Sequence, residues 1–444
     1  MPPFVRVEHP DLSLWQSAVR EVLADQLAGG DVGAPAVLSH PLAVAADADA
    51  VQPGRTLSRI VGLAERSLDG RGVHAEHRAL PAIARAYSRD DPHLVMEIIF
   101  KFAEWYAVGR RPVYRDCRGD LDFGVVEYRL PEDARVAVIG DWGTGLADAR
   151  AMLVELLRGL RPTALVHLGD IYYSGTRREA ARNFADVLDA AFAEVPPRLP
   201  VFNLPGNHDY YSGGAAFYEL LDRLNEGPAR QAASYFCLRA EGDRWQLVGM
   251  DTGFHGHNPG AAFDPFATGP HLQDTETAWV RDKLDRFAGR TILLSHHPLF
   301  SARRAINGPR SGRQPNFNDR LHDAVAPSLG RVAAWLWGHE HSLAVYEDGL
   351  HGLAKGRLVG CSGFETGAAE DPYQPRFPDV RFHQPQVRLS MERGWYDHGF
   401  ALIRLGFAAA IEYYQFPAWA ETAEPPSRRS SWMLYHERLP LFGS

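Results

Sequence analysis

RVAVIGDWG, residues 135–143, is the stretch of sequence from which the fold can be worked out. Its first five residues are a mostly apolar run, rich in β-branched side chains, of the kind that forms a buried strand, and the run stops at Gly140-Asp141. A strand that ends in this way delivers a carboxylate to the carboxyl-terminal edge of a sheet. The stretch therefore predicts a buried strand with Asp141 as a candidate functional residue at its end.

The same construction, an apolar run that ends in a polar motif, occurs four more times along the chain. The motifs are GD at 169–170, GNHD at 206–209, SHHP at 295–298 and GHEH at 338–341. Each of them carries Asp, Asn or His. Because parallel strands end at the same edge of a sheet, we expect the five motifs to converge there. Such a convergence is how a metal site is built.

Helical apolar spacing fills the gaps between these strands, over 146–158, 177–194, 215–225 and 275–287. Strands that alternate with helices indicate a largely parallel sheet. Two strand pairs break the alternation: 233–239 with 244–250, and 399–405 with 408–415. The second pair has Gly406 at its turn and is expected to be a hairpin. The prediction is an α/β fold, a β-sandwich of mixed sheets flanked by helices rather than a doubly wound sheet.

The chain is expected to divide into three parts: a mainly helical N-terminal subdomain or cap over 1–130, the α/β domain over 131–415 and a tail over 416–444. Helical apolar spacing supports the first part, over 13–27, 56–68 and 92–108. The apolar residues of the tail indicate docking, either on the body of the protein or on a second subunit. Two long loops, 302–317 and 364–397, are of the size that walls an active site or carries a partner contact.

The composition argues against several classes of function. A net charge of −8 without a cluster of Lys and Arg disfavours binding of nucleic acid. The three cysteines are scattered, so no disulfide framework is implied. The first residues lack the pattern of a secretory signal, and no apolar stretch approaches the ~20 residues that a membrane helix needs. We expect a cytoplasmic protein without nucleic-acid or membrane partners, and the oligomeric state is left open.

The motif side chains are suited to binding two metal ions. The candidate ligands are Asp141, Asp170, Tyr173, Asn207, His296, His339 and His341, with His208 beside them. Carboxylate oxygens together with imidazoles favour Fe, Mn or Zn over Ca. Seven ligands are too many for one such ion and right for two ions that share a bridging carboxylate.

The motif set GDxG, GDxxY, GNHD, (L/V)xxH and GHxH resembles the calcineurin-like metallophosphoesterases, specifically the purple acid phosphatase branch. The resemblance covers about 130 to 415. Most relatives have DxH at the first motif, whereas the purple acid phosphatases have DxG and recover the ligand as a tyrosine in GDxxY. This chain has Gly143 in the first motif and Tyr173 three residues after Asp170. The neighbouring Tyr172 has the same chemistry as Tyr173.

The resemblance implies two metal ions bridged by Asp170. The first, expected to be Fe(III), would be held by Asp141, Asp170, Tyr173 and His341. The second, expected to be Fe(II), Zn or Mn, would be held by Asp170, Asn207, His296 and His339. His296 is preferred over the adjacent His297 because the (L/V)xxH spacing ends there. A tyrosinate is a strong donor to a ferric ion, so the protein should be coloured.

The resemblance also implies a reaction, in which a metal-bound hydroxide attacks the phosphorus of a phosphate ester. His208 is expected to stabilise or protonate the leaving oxygen, with Asp209 orienting its ring. Purple acid phosphatases carry substrate-binding histidines after the (L/V)xxH motif, whereas this chain has Arg303 and Arg304. These arginines could bind a phosphate bidentately, or they could belong to a solvated basic loop.

The function predicted is hydrolysis of a small-molecule phosphate ester, most simply a monoester. The alternative within the enzyme class is a phosphodiesterase or phosphotriesterase on the same metal core. The alternative from another class is a binding scaffold without catalysis, which the intact set of ligands disfavours.

Overall fold

The computed structural model describes residues 112–115, 128–172, 175–257, 265–383, 387–392, 394–418 and 431–440. The helices expected over 13–27, 56–68 and 92–108 lie outside these residues, and with them most of the expected N-terminal subdomain.

The strands, numbered in chain order, are β1 (Arg135–Ile139), β2 (Ala164–His167), β3 (Val201–Asn203), β4 (Phe236–Arg239), β5 (Trp245–Met250), β6 (Arg290–Ser295), β7 (Val332–Trp337), β8 (Leu343–Val345), β9 (Gly356–Val359), β10 (Thr366–Gly367), β11 (Met391–Glu392), β12 (Trp395–Tyr396), β13 (His398–Arg404), β14 (Ala410–Phe416) and β15 (Trp432–Arg438). The α-helices are α1 (Ala147–Leu160), α2 (Arg177–Glu179), α3 (Asp186–Glu194), α4 (Asn207–Tyr210), α5 (Ala215–Leu224), α6 (Asp274–Arg286) and α7 (Asp319–Val325). Short 3-10 helices cover Gly227–Ala229, Ala326–Arg331, Leu350–Gly352 and Ala368–Glu370.

The described strands form two six-stranded sheets and one small three-stranded sheet. The first large sheet has the order β15-β14-β13-β1-β2-β3, and the second has the order β4-β5-β6-β7-β9-β8. In each, a parallel core is extended by antiparallel strands, which confirms the prediction of mixed sheets. The pairs β4/β5 and β13/β14 are antiparallel, as expected from the two breaks in the alternation.

The two large sheets pack face to face, and helices cover both outer faces. Along β1, Val136 and Val138 are buried between the sheets, whereas Ala137 and Ile139 are buried beneath the helices that follow. This alternation is the two-residue period of a strand, and both sets are apolar because both faces are covered. On the other side of the molecule, Trp279 of α6 packs in a cluster with the second sheet. The fold is therefore α/β, with mixed sheets and flanking helices.

The segment predicted as one helix over 177–194 is divided. Residues Ala180–Ala185 form a π-helix between α2 and α3. The capping box of Thr176 and Glu179 fixes the start of the segment. The first helix also runs past Gly159 and ends where Arg161 adopts a left-handed conformation, with φ of 45°.

The tail docks on the body of the protein as an edge strand. The strand β15 pairs antiparallel with β14. Buried Arg357 of the second sheet donates to both carboxylate oxygens of Glu437, at 2.6 and 2.7 Å. The contact lowers the Glu437 pKa to about 2 although burial alone would raise it. This ion pair joins the tail to both sheets.

No helix among the described residues is long and apolar enough to cross a membrane.

Candidate metal centre

The five motifs meet at one end of the sandwich, but they come from both sheets. Asp141, Asp170 and Asn207 follow strands of the first sheet, and the histidine motifs follow β6 and β7 of the second. The expectation that all five share the edge of one sheet is therefore wrong. The β4/β5 hairpin begins a second sheet, so the centre lies across the cleft between two sheet edges.

Three of the motif residues have a backbone conformation that L-residues rarely adopt. The φ angles are 53° at Asp141, 74° at Asp170 and 69° at His339. Strain of this kind costs on the order of 1 kcal/mol or more per residue and concentrates at functional sites. Gly206 is required for a different reason, because a Cβ there would lie 1.9 Å from Oδ1 of Asp170. The local backbone is thus shaped around the Asp170 carboxylate.

One half of the centre gathers around the hydroxyl of Tyr172. This hydroxyl donates to Oδ1 of Asp141 at 2.7 Å and lies 3.1 Å from Nε2 of His341. It also lies 3.4 Å from Oδ2 of Asp170. Burial raises the pKa of Tyr172 well above its usual value, and the charges of Asp141 and Asp170 raise it further. A bound cation would reverse this preference and favour the phenolate.

The other half gathers around Nε2 of His296. It lies 3.1 Å from Oδ1 of Asn207, 3.2 Å from Nδ1 of His339 and 3.3 Å from Oδ2 of Asp170. The opposite ring nitrogen of His296 lies 3.0 Å from the carbonyl oxygen of Leu168. Because a carbonyl can only accept, Nδ1 carries the proton and Nε2 is left with a lone pair for a metal ion.

The two halves share Oδ2 of Asp170. Burial disfavours the charged form of the Asp170 carboxylate. The charges of His296 and His208 outweigh burial and hold the Asp170 pKa well below its usual range. Metal–ligand bonds of about 2.1 Å place neighbouring donor atoms roughly 3.0–3.4 Å apart in octahedral or tetrahedral geometry. The distances in both halves are near this range. The residues therefore fit two metal ions with Asp170 between them.

The tyrosine expected at this site, Tyr173, lies outside the described residues, so its role stays a prediction. The contacts of Tyr172 make this neighbour the tyrosine that the structure brings to Asp141. Either tyrosine would satisfy the chemistry implied by the motif, and the choice depends on the backbone after Asp170.

Comparison with known proteins agrees with this geometry. Residues 134–343 match the sequence profile described as calcineurin-like phosphoesterase. Over these residues the chain is therefore similar to the calcineurin-like metallophosphoesterases. The family and the buried His and Asp groups together indicate divalent metal ions and a phosphoester substrate. No curated relative matches the sequence.

Several solved structures are similar to the chain at low identity. GAP50, the anchor in the inner membrane complex of Plasmodium, is 13% identical with a TM-score of 0.41, and the match covers 70% of this chain and 89% of that one. A purple acid phosphatase from yellow lupin (Lupinus luteus) seeds is 14% identical with a TM-score of 0.40, covering 69% of this chain and 54% of that one. A phosphopantetheinyl hydrolase from Mycobacterium tuberculosis is 17% identical with a TM-score of 0.32, covering 59% and 100%.

Two further residues of the GNHD motif of the phosphoesterase domain lie beside the shared carboxylate. Nε2 of His208 is 3.9 Å from Oδ2 of Asp170, and its ring packs 4.8 Å from that of Tyr172. The Asp209 carboxylate has other partners than the ring of His208 that we expected. Its Oδ2 accepts from the backbone amides of Asp170 at 2.9 Å and Gly206 at 2.7 Å. Asp209 therefore holds the backbone around Asp170 in place.

The two arginines of the loop after β6 differ in their surroundings. Arg303 donates to the carbonyl oxygen of Glu370 and is thereby tied to the protein. Burial lowers the pKa values of His339 and His341, and the nearby charge of Arg304 lowers both further. Of the two arginines, Arg304 is therefore the one whose charge lowers the pKa values of histidines in the metal centre.

Sequence motifs gave no signal for the residues that support this loop and the histidines. The hydroxyl of Ser301 accepts from the backbone amides of Arg303 and Arg304 and donates to buried Glu340. The hydroxyl of Thr366 donates to the carbonyl oxygen of His341 at 2.6 Å, and Phe364 stacks on the ring of His341 at 3.9 Å. The fold brings Ser301 to Glu340, and Phe364 and Thr366 to His341, from separate parts of the chain.

The adjacent histidine of the SHHP motif has a supporting position. Nδ1 of His297 lies 3.0 Å from the hydroxyl of Thr252, and its ring lies 4.5 Å from that of His339. Burial and the charge of His296 hold the His297 pKa well below its usual value. His296 rather than His297 is the residue beside Asn207 and Asp170.

Proposed function

We propose that the chain is a binuclear metal-dependent phosphomonoesterase of the purple acid phosphatase type. The observation that carries the proposal is the position of Oδ2 of Asp170, which lies 3.4 Å from the hydroxyl of Tyr172 and 3.3 Å from Nε2 of His296. One carboxylate between two sets of donors is what two neighbouring ions require of a bridging ligand.

The donor chemistry supports Fe(III) in the first half and Fe(II), Zn or Mn in the second. The first half offers the carboxylate of Asp141 and a phenol besides the imidazole of His341. We propose that Tyr172 is the phenolate ligand, on the strength of its 2.7 Å contact with Asp141. Tyr173, implied by the motif spacing, is the alternative that the experiment must exclude.

When bound, the two ions would lower the pKa of a water molecule and neutralise charge on the phosphoryl oxygens. The protein's own residues would do the rest. His208 would give a proton to the oxygen that leaves phosphorus, a role supported by the 3.9 Å between its Nε2 and Oδ2 of Asp170. Arg304 would hold a phosphoryl oxygen, and Asp209 would keep the backbone of Asp170 in position.

The experiment compares turnover of nitrophenyl phosphate with turnover of bis-nitrophenyl phosphate by the metal-loaded protein. A monoester dianion gains from the charge of Arg304, so we expect the monoester to be preferred. Clear preference for the diester would contradict the monoesterase and favour a phosphodiesterase on the same core. Metal analysis and a visible spectrum are measured on the same sample, since fewer than one ion per chain would instead indicate a binding scaffold.

A further inference from the structure

A second group of metal-binding side chains lies outside the centre that contains Asp170. Its members are Asp148 in the first turn of α1, Glu365 between β9 and β10, and His398 at the start of β13. All three are no more than 1% exposed. One donor atom of each lies within 4.8 Å of the others. No residue is shared with the two halves of the catalytic centre.

A backbone contact determines which ring nitrogen of His398 carries a proton. Nδ1 lies 3.1 Å from the carbonyl oxygen of Cys361. Because that oxygen can only accept, Nδ1 carries the proton and a neutral ring has its lone pair on Nε2. The lone pair therefore points into the group rather than towards the backbone.

Within the group, Nε2 faces the carboxylate of Asp148 at short range. Nε2 of His398 lies 3.0 Å from Oδ2 of Asp148, yet the geometry gives this buried nitrogen no hydrogen-bond partner. Two lone pairs at this distance repel unless a cation lies between them. Two donors bound at 90° to one ion with bonds of about 2.1 Å would lie roughly 3.0 Å apart.

A proton is the competing cation. Burial lowers the pKa of His398, but the adjacent Asp148 outweighs burial and raises it above its usual value. A proton shared between these two residues would account for the distance that separates them. Glu365 brings a third donor atom to within 4.8 Å of this pair, which makes the group large enough for a metal ion.

We propose that Asp148, Glu365 and His398 bind a third metal ion, a divalent ion such as Zn²⁺ or Mn²⁺ with a structural role. Two carboxylates and one imidazole are a donor set that these ions accept, and bidentate carboxylates would bring the protein donors to five. The ion would join α1, the segment between β9 and β10, and β13. That segment also carries Phe364, which stacks on the ring of His341, and the next residue after Glu365 is Thr366 of β10, which donates to the His341 carbonyl oxygen.

The test counts the ions that the full chain retains after extensive dialysis against metal-free buffer. We expect three per chain in the wild type and two in Glu365→Gln, which keeps the shape of the side chain and removes its charge. Asp170→Asn, which removes the bridging carboxylate, should retain one. The matched control is Glu276→Gln, a change at a fully buried glutamate outside both groups, which should retain three.

Two ions in both the wild type and Glu365→Gln would overturn the proposal. The wild type could instead retain a single ion that is lost in Glu365→Gln and kept in Asp170→Asn. That result would support the site at Glu365 and contradict the proposed two-ion function. If Glu365→Gln fails to fold, anomalous scattering from crystals of the wild type grown with Mn²⁺ decides. A peak is expected between Nε2 of His398 and Oδ2 of Asp148, and a proton-bridged pair with no peak would overturn the proposal.

Discussion

The two halves of the candidate metal centre share Asp170 but offer different charge to an ion. The first half adds the carboxylate of Asp141 and the phenol of Tyr172, whereas the second adds neutral donors. The neutral donors are the amide of Asn207 and the rings of His296 and His339. An anionic set stabilises a trivalent ion better than a neutral set does. The difference teaches how one shared carboxylate can lie between an anionic and a neutral set of donors, which is the basis of the proposal that the two ions differ.

The asymmetry follows from how the sheets deliver the side chains. The Asp141 and Asp170 carboxylates come from the ends of neighbouring parallel strands, β1 and β2. The second sheet contributes histidines only. The left-handed turn at His339 lets the GHEH motif supply one histidine to each half, since His339 contacts His296 while His341 contacts Tyr172.

The largest effect is expected where the two halves meet. Asp170→Asn removes the charge that both ions share, so the variant should lose both ions of the centre and all measurable turnover. Metal analysis and turnover of nitrophenyl phosphate check this. If one ion and most of the turnover remained, Asp170 would belong to only one half. The inference that both halves share Asp170 as a ligand would then be wrong.

Removal of His208 should have the next largest effect. His208→Ala should retain both ions and lower kcat by about 10²-fold or more for a poor leaving group, because a proton donor is lost. A good leaving group such as nitrophenolate needs little protonation and should lose far less. The measurement compares phenyl phosphate with nitrophenyl phosphate in both proteins. An equal loss for the two substrates would assign His208 to binding instead.

Much of the fold could be predicted because its strands are buried on both faces. Continuous apolar runs such as 136–139 and 292–294, each followed by a polar motif, leave little choice of structure. A sandwich could be predicted, but the assignment of each strand to one of its two sheets could not. Apolar periodicity reports that a strand is buried, but it does not report which strand lies beside it.

Site residues that belong to a sequence motif could be predicted. Site residues that come together only through the fold could not. Tyr172 and Tyr173 are adjacent and chemically identical, so spacing alone cannot select one. The partners of Asp209 are backbone amides, which leave no signal in a sequence. The residues Asp148, Glu365 and His398 lie far apart in the chain and belong to no motif, although the fold gathers them.

A third, smaller effect tests the charge difference between the halves directly. Tyr172→Phe removes the phenol from the first half, so the iron-loaded variant should lose its visible absorption while the second half keeps its ion. The matched control is Tyr173→Phe, which should keep the colour of the wild type. Absorption that survives in Tyr172→Phe and disappears in Tyr173→Phe would restore the assignment implied by the motif spacing.

The smallest effect is expected from Arg304, whose charge reaches the histidines of both halves. Arg304→Ala should raise KM for a phosphate monoester by about 10-fold, which corresponds to about 1.4 kcal/mol of lost binding, with both ions retained. Arg310→Ala, a change at an exposed arginine of the same loop, is the matched control and should leave KM unchanged. Because a diester carries less charge, its KM should change less. An equal rise for monoester and diester would mean that Arg304 supports the loop and does not contact the phosphate.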